Sequence, residues 1–196
     1  MSQTNLLDRR RVVASLLAHR EGALVVGGLG ASTNDMAASG DHDRNFYLWG
    51  AMGGAVMIGL GLALARPDLP VLVITGDGEM LMGMGSLATV AVQKPSNLSI
   101  VVLDNERYGE TGGQMSHTAM TVDLVGVARA CGIAHAHAIS TMAEVEAFAT
   151  AIADLAAGPR FANVKIDSAN LERILPTRDG AFILNRLRGS LGFTPI

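Results

Sequence analysis

Two short segments of this sequence carry oxygen ligands that could bind one divalent metal ion together. The first is Gly76-Asp77-Gly78, and the second is Asp104-Asn105. Carboxylate and amide oxygens suit Mg²⁺, which usually combines one or two protein carboxylates with phosphate oxygens of a ligand. The pair therefore predicts a metal site for a phosphorylated molecule. The alternative for Gly-Asp-Gly alone is a plain strand-to-helix turn, with Asn105 as a loop cap.

Each segment follows an apolar, β-branched run that predicts a buried parallel strand. The runs cover residues 71–75 and 98–103, and residues 79–93 between them have helical composition. A parallel crossover returns the second strand beside the first, so Asp77 and Asn105 are expected at the same sheet edge. Ligands of open α/β sheets bind at that edge.

The rest of the chain continues this alternation and predicts an α/β fold, a doubly wound, mainly parallel sheet with helices on both faces. The 196 residues, of which 49% are hydrophobic, are enough for a single domain over residues 1–196. A net charge of −3 argues against nucleic-acid binding. Helices are expected before Glu21 and over residues 56–65, 124–131 and 143–157, and strands at Leu24 and over residues 135–139 and 161–166.

The stretch from Gly76 to Gly109 resembles the thiamine diphosphate-binding motif of the decarboxylase and acetolactate synthase superfamily. This resemblance implies thiamine diphosphate and Mg²⁺ as cofactors. It also implies that the metal ligands are Asp77, the side chain of Asn105 and the backbone carbonyl of Arg107. Asp104 departs from the usual motif, which has an asparagine there. Further cofactor contacts are expected from Gly76, Gly78, Glu79, Tyr108 and Gly109.

A second segment, residues 49–54, resembles the part of the superfamily that holds the aminopyrimidine ring. The resemblance implies that Met52 wedges under the cofactor and bends it, and that the backbone of Gly50 accepts a hydrogen bond from the 4′-amino group. Methionine is polarisable and fills irregular gaps, which suits a wedge. Considered alone, Met52 would be an ordinary core residue, since the chain has ten methionines.

A third segment consists of Gly30, Ala31 and Ser32, which follow another apolar run. Backbone amides that lead into a helix N-terminus could bind the diphosphate here. A plain turn is the alternative. A dinucleotide-binding fingerprint is incomplete, because Thr33 stands where the third glycine would be.

The loop after the metal segment, residues 108–118, resembles the corresponding stretch of sulfopyruvate and phosphonopyruvate decarboxylases. Its glycines would allow it to move over the reacting centre. Glu110 and His117 are the candidate catalytic residues that transfer protons, and Thr111 and Gln114 could bind a substrate carboxylate. The alternative is a surface loop that satisfies its own backbone.

The resemblance further implies a partner. Enzymes of this superfamily use a separate pyrimidine-binding domain whose glutamate activates the cofactor, and no segment here corresponds to it. We therefore expect a separate pyrimidine-binding subunit of the α type and a hetero-oligomer. This chain would then be the diphosphate-binding subunit of a 2-oxo acid decarboxylase, similar to the β subunits of two-subunit sulfopyruvate decarboxylases. Three alternatives stay open: an acetolactate synthase-like carboligase subunit, a non-catalytic cofactor-binding assembly subunit, and a nucleotide-binding protein.

The sequence gives less specific expectations for the two ends of the chain and for the location of the protein in the cell. Arg9, Arg10 and Arg11 are expected on a solvated face of the first helix. Residues 173–196 are expected to form a tail that packs on this domain or on a partner. The apolar stretch 51–65 is short and glycine-interrupted, and no signal peptide is recognisable, so a cytoplasmic location is the default expectation.

Overall fold

A computed structural model describes residues 6–196 and has a six-stranded parallel sheet at its centre. The strands are β1 (Leu24–Gly27), β2 (Asn45–Tyr47), β3 (Val71–Gly76), β4 (Leu98–Asp104), β5 (Arg107–Tyr108), β6 (Gln114–Met115), β7 (His135–Ile139) and β8 (Arg160–Lys165). The helices are α1 (Arg9–Ala18), α2 (Ala31–Ala38), α3 (Ala55–Ala65), α4 (Asp77–Met82), α5 (Ser86–Gln93), α6 (Leu124–Cys131), α7 (Met142–Ala151) and α8 (Gly180–Ser190).

The main sheet has the order β2-β1-β3-β4-β8-β7, and every neighbouring pair is parallel. Helices α3, α5 and α6 pack on one face, and α1, α2 and α7 pack on the other. The central strands β3 and β4 are almost entirely buried. This confirms the prediction of a doubly wound, mainly parallel α/β fold.

The predicted helix over residues 79–93 is wrong in one respect, because it is two helices, α4 and α5. The break lies at residues 83–85, where Gly83 approaches the backbone of Gly53. A Cβ atom on Gly83 would lie 2.2 Å from the carbonyl oxygen of Gly53. This contact requires glycine and joins the α4 end to the loop before α3.

The arginines of α1 do not form one solvated face. Arg11 is exposed, but Arg9 is buried and its Nε lies 2.9 Å from Oδ2 of Asp35 on α2. Arg10 also reaches this carboxylate, at 3.2 Å. The expectation of a solvated face was therefore wrong for Arg9, because the fully buried Asp35 requires a cationic partner.

The C-terminal segment, residues 173–196, folds back over edge strand β2. The indole N–H of Trp49 donates to the carbonyl of Thr177 at 2.8 Å, and the Arg178 guanidinium lies 5.0 Å from the Trp49 ring centre. In α8, Arg186 pairs with Asp41. None of the helices within residues 6–196 is long and apolar enough to cross a lipid bilayer.

Candidate cofactor site

The carboxyl ends of β3 and β4 bring the two ligand-bearing segments together. Gly76 pairs with Leu103 in the register of these strands, so Asp77 and Asn105 follow at the same edge. Both residues line one cleft with a volume of about 690 Å³. Small-molecule and cofactor sites are typically about 300–1,000 Å³. The cleft is therefore large enough for an organic cofactor.

Asp77 begins α4 and is almost fully buried at this edge. Its Oδ2 accepts a short hydrogen bond from the hydroxyl of Ser116 and one of 3.3 Å from the hydroxyl of Thr118. Burial raises the pKa of Asp77, the two hydroxyls oppose this rise, and the Asp104 carboxylate adds to it. A divalent cation would favour the ionised form and lower this pKa.

Asn105 and Arg107 lie at the start of the small antiparallel hairpin β5–β6. Asn105 Oδ1 accepts a hydrogen bond from the Arg107 backbone N–H at 3.0 Å, which leaves one lone pair of that oxygen for a metal. Within residues 6–196, no group of three or more His, Cys, Asp or Glu side chains could hold a metal ion. A carboxylate, an amide and a backbone carbonyl, completed by phosphate oxygens, nevertheless fit the coordination that Mg²⁺ prefers.

Asp104 supports this edge and does not line the cleft. Its buried carboxylate contacts Lys165 Nζ at 2.8 Å, Asn163 Nδ2 at 2.9 Å and Thr118 Oγ1 at 2.8 Å. The Asp104 carboxylate is a second negative charge close to Asp77, and the positive charge of Lys165 compensates it. Thr118 connects the two acids, because its hydroxyl also reaches Asp77.

Glu79 lines the cleft, but its carboxylate oxygens bind the protein. Oε2 accepts from the hydroxyl of Thr75 at 2.9 Å, and Oε1 accepts from the backbone N–H of Gly53 at 3.3 Å. Burial raises the pKa of Glu79, and these donors oppose the rise. Glu79 thus connects the end of β3 to the loop before α3, a structural role beyond the cofactor contact that the sequence predicts.

Most of the other predicted cofactor contacts line this cleft, but two of them do not. Gly30 and Gly50 lie outside its lining, and both have positive φ values. The hydroxyl of Ser32 donates to the Gly28 carbonyl at 2.8 Å, so only its backbone is available to a diphosphate. A Cβ on Gly78 would lie 2.9 Å from the Tyr108 ring. The predicted cofactor and metal contacts that line the cleft are Ala31, Ser32, Met52, Gly76, Asp77, Gly78, Glu79, Asn105, Arg107, Tyr108 and Gly109.

The two candidate catalytic residues differ in position. Glu110 lines the cleft, its carboxylate lies over Gly30, and Arg173 Nη2 is 3.6 Å from its Oε2. His117 is exposed and lies outside the cleft lining, with its ring edge-on to Tyr108 at a centroid distance of 5.8 Å. Of the two, Glu110 stands where it can contact a molecule in the cleft.

Sequence reasoning missed four polar residues of this region, Ser116, Thr118, Arg9 and Asn34. The first two contact Asp77 across 39 and 41 positions of sequence, and no local pattern encodes such contacts. Arg9 and Asn34 line the same cleft. The clustering of three arginines at α1 was visible, but only the fold shows which of them turns inwards.

Residues 29–166 match the family described as thiamine pyrophosphate enzyme, C-terminal TPP binding domain. The chain belongs to this family. The match runs from the loop after β1 to the end of β8 and includes Asp77, Asn105 and Arg107, and it confirms the resemblance seen in the sequence.

Curated relatives and solved structures agree with the family. The chain is 42% identical over 151 residues to the phosphonopyruvate decarboxylase of Streptomyces viridochromogenes, covering 76% of this chain but only 37% of that protein. It is 36% identical over 181 residues to the sulfopyruvate decarboxylase subunit beta of Methanothermobacter thermautotrophicus, covering 92% of this chain and 94% of that subunit. Benzoylformate decarboxylase from Polynucleobacter necessarius shares the fold, with a TM-score of 0.69 at 19% identity over 86% of this chain and 34% of that one.

Proposed function

We propose that this chain is the diphosphate- and Mg²⁺-binding subunit of a thiamine diphosphate-dependent 2-oxo acid decarboxylase. It would act with a separate pyrimidine-binding subunit that supplies the activating glutamate. The observation that carries this proposal is the placement of Asp77, Asn105 and Arg107 along one cleft at the carboxyl edge of a parallel sheet. These residues provide the hard oxygen ligands that a Mg²⁺-diphosphate requires.

The residues of the cleft divide into two roles in this proposal. Asp77, Asn105 and the Arg107 carbonyl would hold the metal, while Met52 and Tyr108 line the volume for the organic part of the cofactor. When bound, thiamine diphosphate supplies the electron sink that accepts the electron pair released with CO₂. Glu110 would hold or transfer a proton at the substrate side, because its carboxylate lies in the cleft beside Gly30.

A relative that is itself named as one subunit supports a two-subunit enzyme. The Methanothermobacter relative is named as subunit beta, and this chain covers 94% of it. By contrast, the chain spans 37% of the Streptomyces relative, whose remaining length has no counterpart in this alignment. Both names specify a three-carbon 2-oxo acid with a second acidic group, either a sulfonate or a phosphonate. We propose that substrate class for the complex of this chain with its partner.

The test is to purify the tagged chain from its native host in thiamine diphosphate and Mg²⁺ and to identify stoichiometric partners and bound cofactor by mass spectrometry. The complex is then incubated with sulfopyruvate, phosphonopyruvate and pyruvate. We expect one second subunit, one cofactor per subunit pair, and an aldehyde product. Recovery of the chain without partner or cofactor would contradict the proposal, and an acyloin product would identify a carboligase.

A further inference from the structure

Arg9 is buried in the wall of the cleft, although it lies in the first turn of a surface helix. Only about a tenth of its side chain is exposed, and its Nε lies 2.9 Å from Oδ2 of Asp35. This ion pair uses the Nε edge of the guanidinium. The two terminal nitrogens, Nη1 and Nη2, carry the remaining donors of this group. Because Nε lies beside Asp35 and Arg9 lines the cleft, we infer that the terminal nitrogens are the edge that can reach a molecule there.

The charge of Asp35 is shared between two arginines. Arg10 Nε lies 3.2 Å from Oδ1 of the same carboxylate, and Arg10 also donates to the backbone carbonyl of Glu172. Asp35 is fully buried between these guanidinium groups. Because one carboxylate serves two cations, Arg9 keeps positive charge for a further partner. A buried guanidinium that lines a cleft is well suited to an oxyanion.

Asn34 is a second, independent indication of a ligand at this place. It lies in the first turn of α2, lines the same cleft, and is only 5% exposed. Its Oδ1 is buried without a hydrogen-bond partner among residues 6–196. Buried amide groups are rarely left without partners, so an unpaired one in a cleft wall indicates a bound molecule or water. With the oxygen buried, the N–H₂ group is the end of this amide that can donate to an anion in the cleft.

The surroundings allow an anion here. Asn34 is one turn from Ala31 and Ser32, whose backbones form the first turn of α2. The Glu110 carboxylate beside Gly30 would repel an anion, but Arg173 lies 3.6 Å from it and also lines the cleft. Arg173 thus offsets the acid and adds a second guanidinium to the wall.

We propose that Arg9 and Asn34 form a subsite for a tetrahedral oxyanion beside the loop that precedes α2. The inference rests on the proposed function, because the anion would belong either to the terminal phosphate of thiamine diphosphate or to the sulfonate or phosphonate of the 2-oxo acid. Arg9 supplies charge-assisted hydrogen bonds from its outer edge, and the Asn34 amide supplies one more. Asp35 is a positioning residue that holds the guanidinium towards the cleft.

The test compares Arg9→Gln and Asn34→Leu with Arg11→Gln, a control on the same helix whose side chain is exposed. Each variant is prepared as the full chain with its co-purified partner. Binding of Mg²⁺-thiamine diphosphate, thiamine monophosphate and inorganic phosphate is measured by calorimetry, and KM is measured for phosphonopyruvate and pyruvate. Arg9→Lys retains the charge and replaces Arg9→Gln if the latter fails to fold.

Two results would support the subsite and identify its ligand. If the anion is the cofactor's terminal phosphate, Arg9→Gln and Asn34→Leu raise the Kd of thiamine diphosphate at least tenfold and leave that of thiamine monophosphate nearly unchanged. If the anion belongs to the substrate, the cofactor Kd is unchanged and KM rises at least tenfold for phosphonopyruvate but not for pyruvate. In both cases Asn34→Leu raises the melting temperature of the ligand-free protein, because it removes a buried unpaired amide.

The subsite is refuted if Arg9→Gln and Asn34→Leu behave like Arg11→Gln for every ligand. It is also refuted if Asn34→Leu lowers the melting temperature and leaves binding intact, since Asn34 would then be only structural. Failure of the wild-type complex to bind thiamine diphosphate would contradict the proposed function instead. In that case the titration with inorganic phosphate still decides whether Arg9 and Asn34 bind an oxyanion.

Discussion

Glu79 Oε1 accepts a hydrogen bond from the backbone N–H of Gly53 at 3.3 Å. This contact joins the segment that follows β3 to the segment that precedes α3. The first is the proposed metal-binding motif, and the second is the stretch that resembles an aminopyrimidine-binding segment. Since the other Glu79 oxygen binds Thr75, one buried side chain fixes the distance between the two motifs.

Gly28→Ala should disrupt this arrangement. A Cβ on Gly28 would lie 1.9 Å from Oε2 of Glu79, so the carboxylate must move away from its partners. We expect a loss of about 1–3 kcal/mol in the free energy of unfolding, as for other overpacked cores. Cofactor binding should weaken with it. The measurement is chemical denaturation followed by calorimetric titration with Mg²⁺-thiamine diphosphate.

Gly61→Ala is the matched control for this substitution, because nothing lies within 4 Å of a Cβ there and Gly61 is in a helix. Alanine at that position should stabilise the protein by about 0.5–1 kcal/mol. Equal stability and cofactor affinity for Gly28→Ala and wild type would show that Glu79 does not join the loops as described.

Thr118→Val should weaken metal binding more than it weakens the fold. The Thr118 hydroxyl contacts Asp104 at 2.8 Å and Asp77 at 3.3 Å, so valine removes a group that orients the proposed metal ligand. Loss of such outer partners typically lowers metal affinity about 10–100-fold. Titration of Mg²⁺ at saturating thiamine diphosphate measures this effect.

The control is Thr150→Val, whose hydroxyl bonds only within helix α7. It should leave the Mg²⁺ affinity unchanged. An unchanged affinity in Thr118→Val as well would mean that Thr118 has no part in orienting Asp77.

The fold and the edge of the sheet could be predicted because their signals are local. Apolar runs of strand length end in Gly76 and Asp104, and parallel crossovers have a fixed geometry that brings their ends together. Strand β2 has only three residues, so its sequence shows no strand pattern that could be recognised. The inward position of Arg9 could not be predicted, because it depends on Asp35, which lies on another helix. Contacts of Ser116 with Asp77 span 39 positions and need the complete fold.

The C-terminal segment should detach in acid before the core unfolds. Burial acts to raise the pKa of Asp41, but hydrogen bonds from Arg186 and Tyr47 outweigh it and hold the pKa below its ordinary value. The ionised carboxylate therefore stabilises the docked segment above about pH 3.9, the unfolded value, and this contribution is lost as the pH falls through the lower folded pKa.

Trp49 is the only tryptophan and contacts Thr177 and Arg178, so its fluorescence reports the docking of this segment. We expect an emission change below about pH 3.9 that precedes the loss of helical circular dichroism. Asp41→Asn should show the changed emission already at neutral pH, whereas the control Asp43→Asn, at an exposed position, should resemble wild type. Coincident fluorescence and circular dichroism transitions in wild type would refute independent detachment.

We propose above all that Asp77 anchors a Mg²⁺-diphosphate at the edge of β3. The most direct measurement is the Kd of thiamine diphosphate in the presence of Mg²⁺ for the wild-type complex, for Asp77→Ala, and for Asp68→Ala at an exposed site. Removal of a buried charged partner typically costs about 2–5 kcal/mol, so we expect the Kd of Asp77→Ala to rise by about 30-fold or more. Asp68→Ala should bind like wild type. Undiminished Mg²⁺-dependent binding by a folded Asp77→Ala would contradict the assignment of this site.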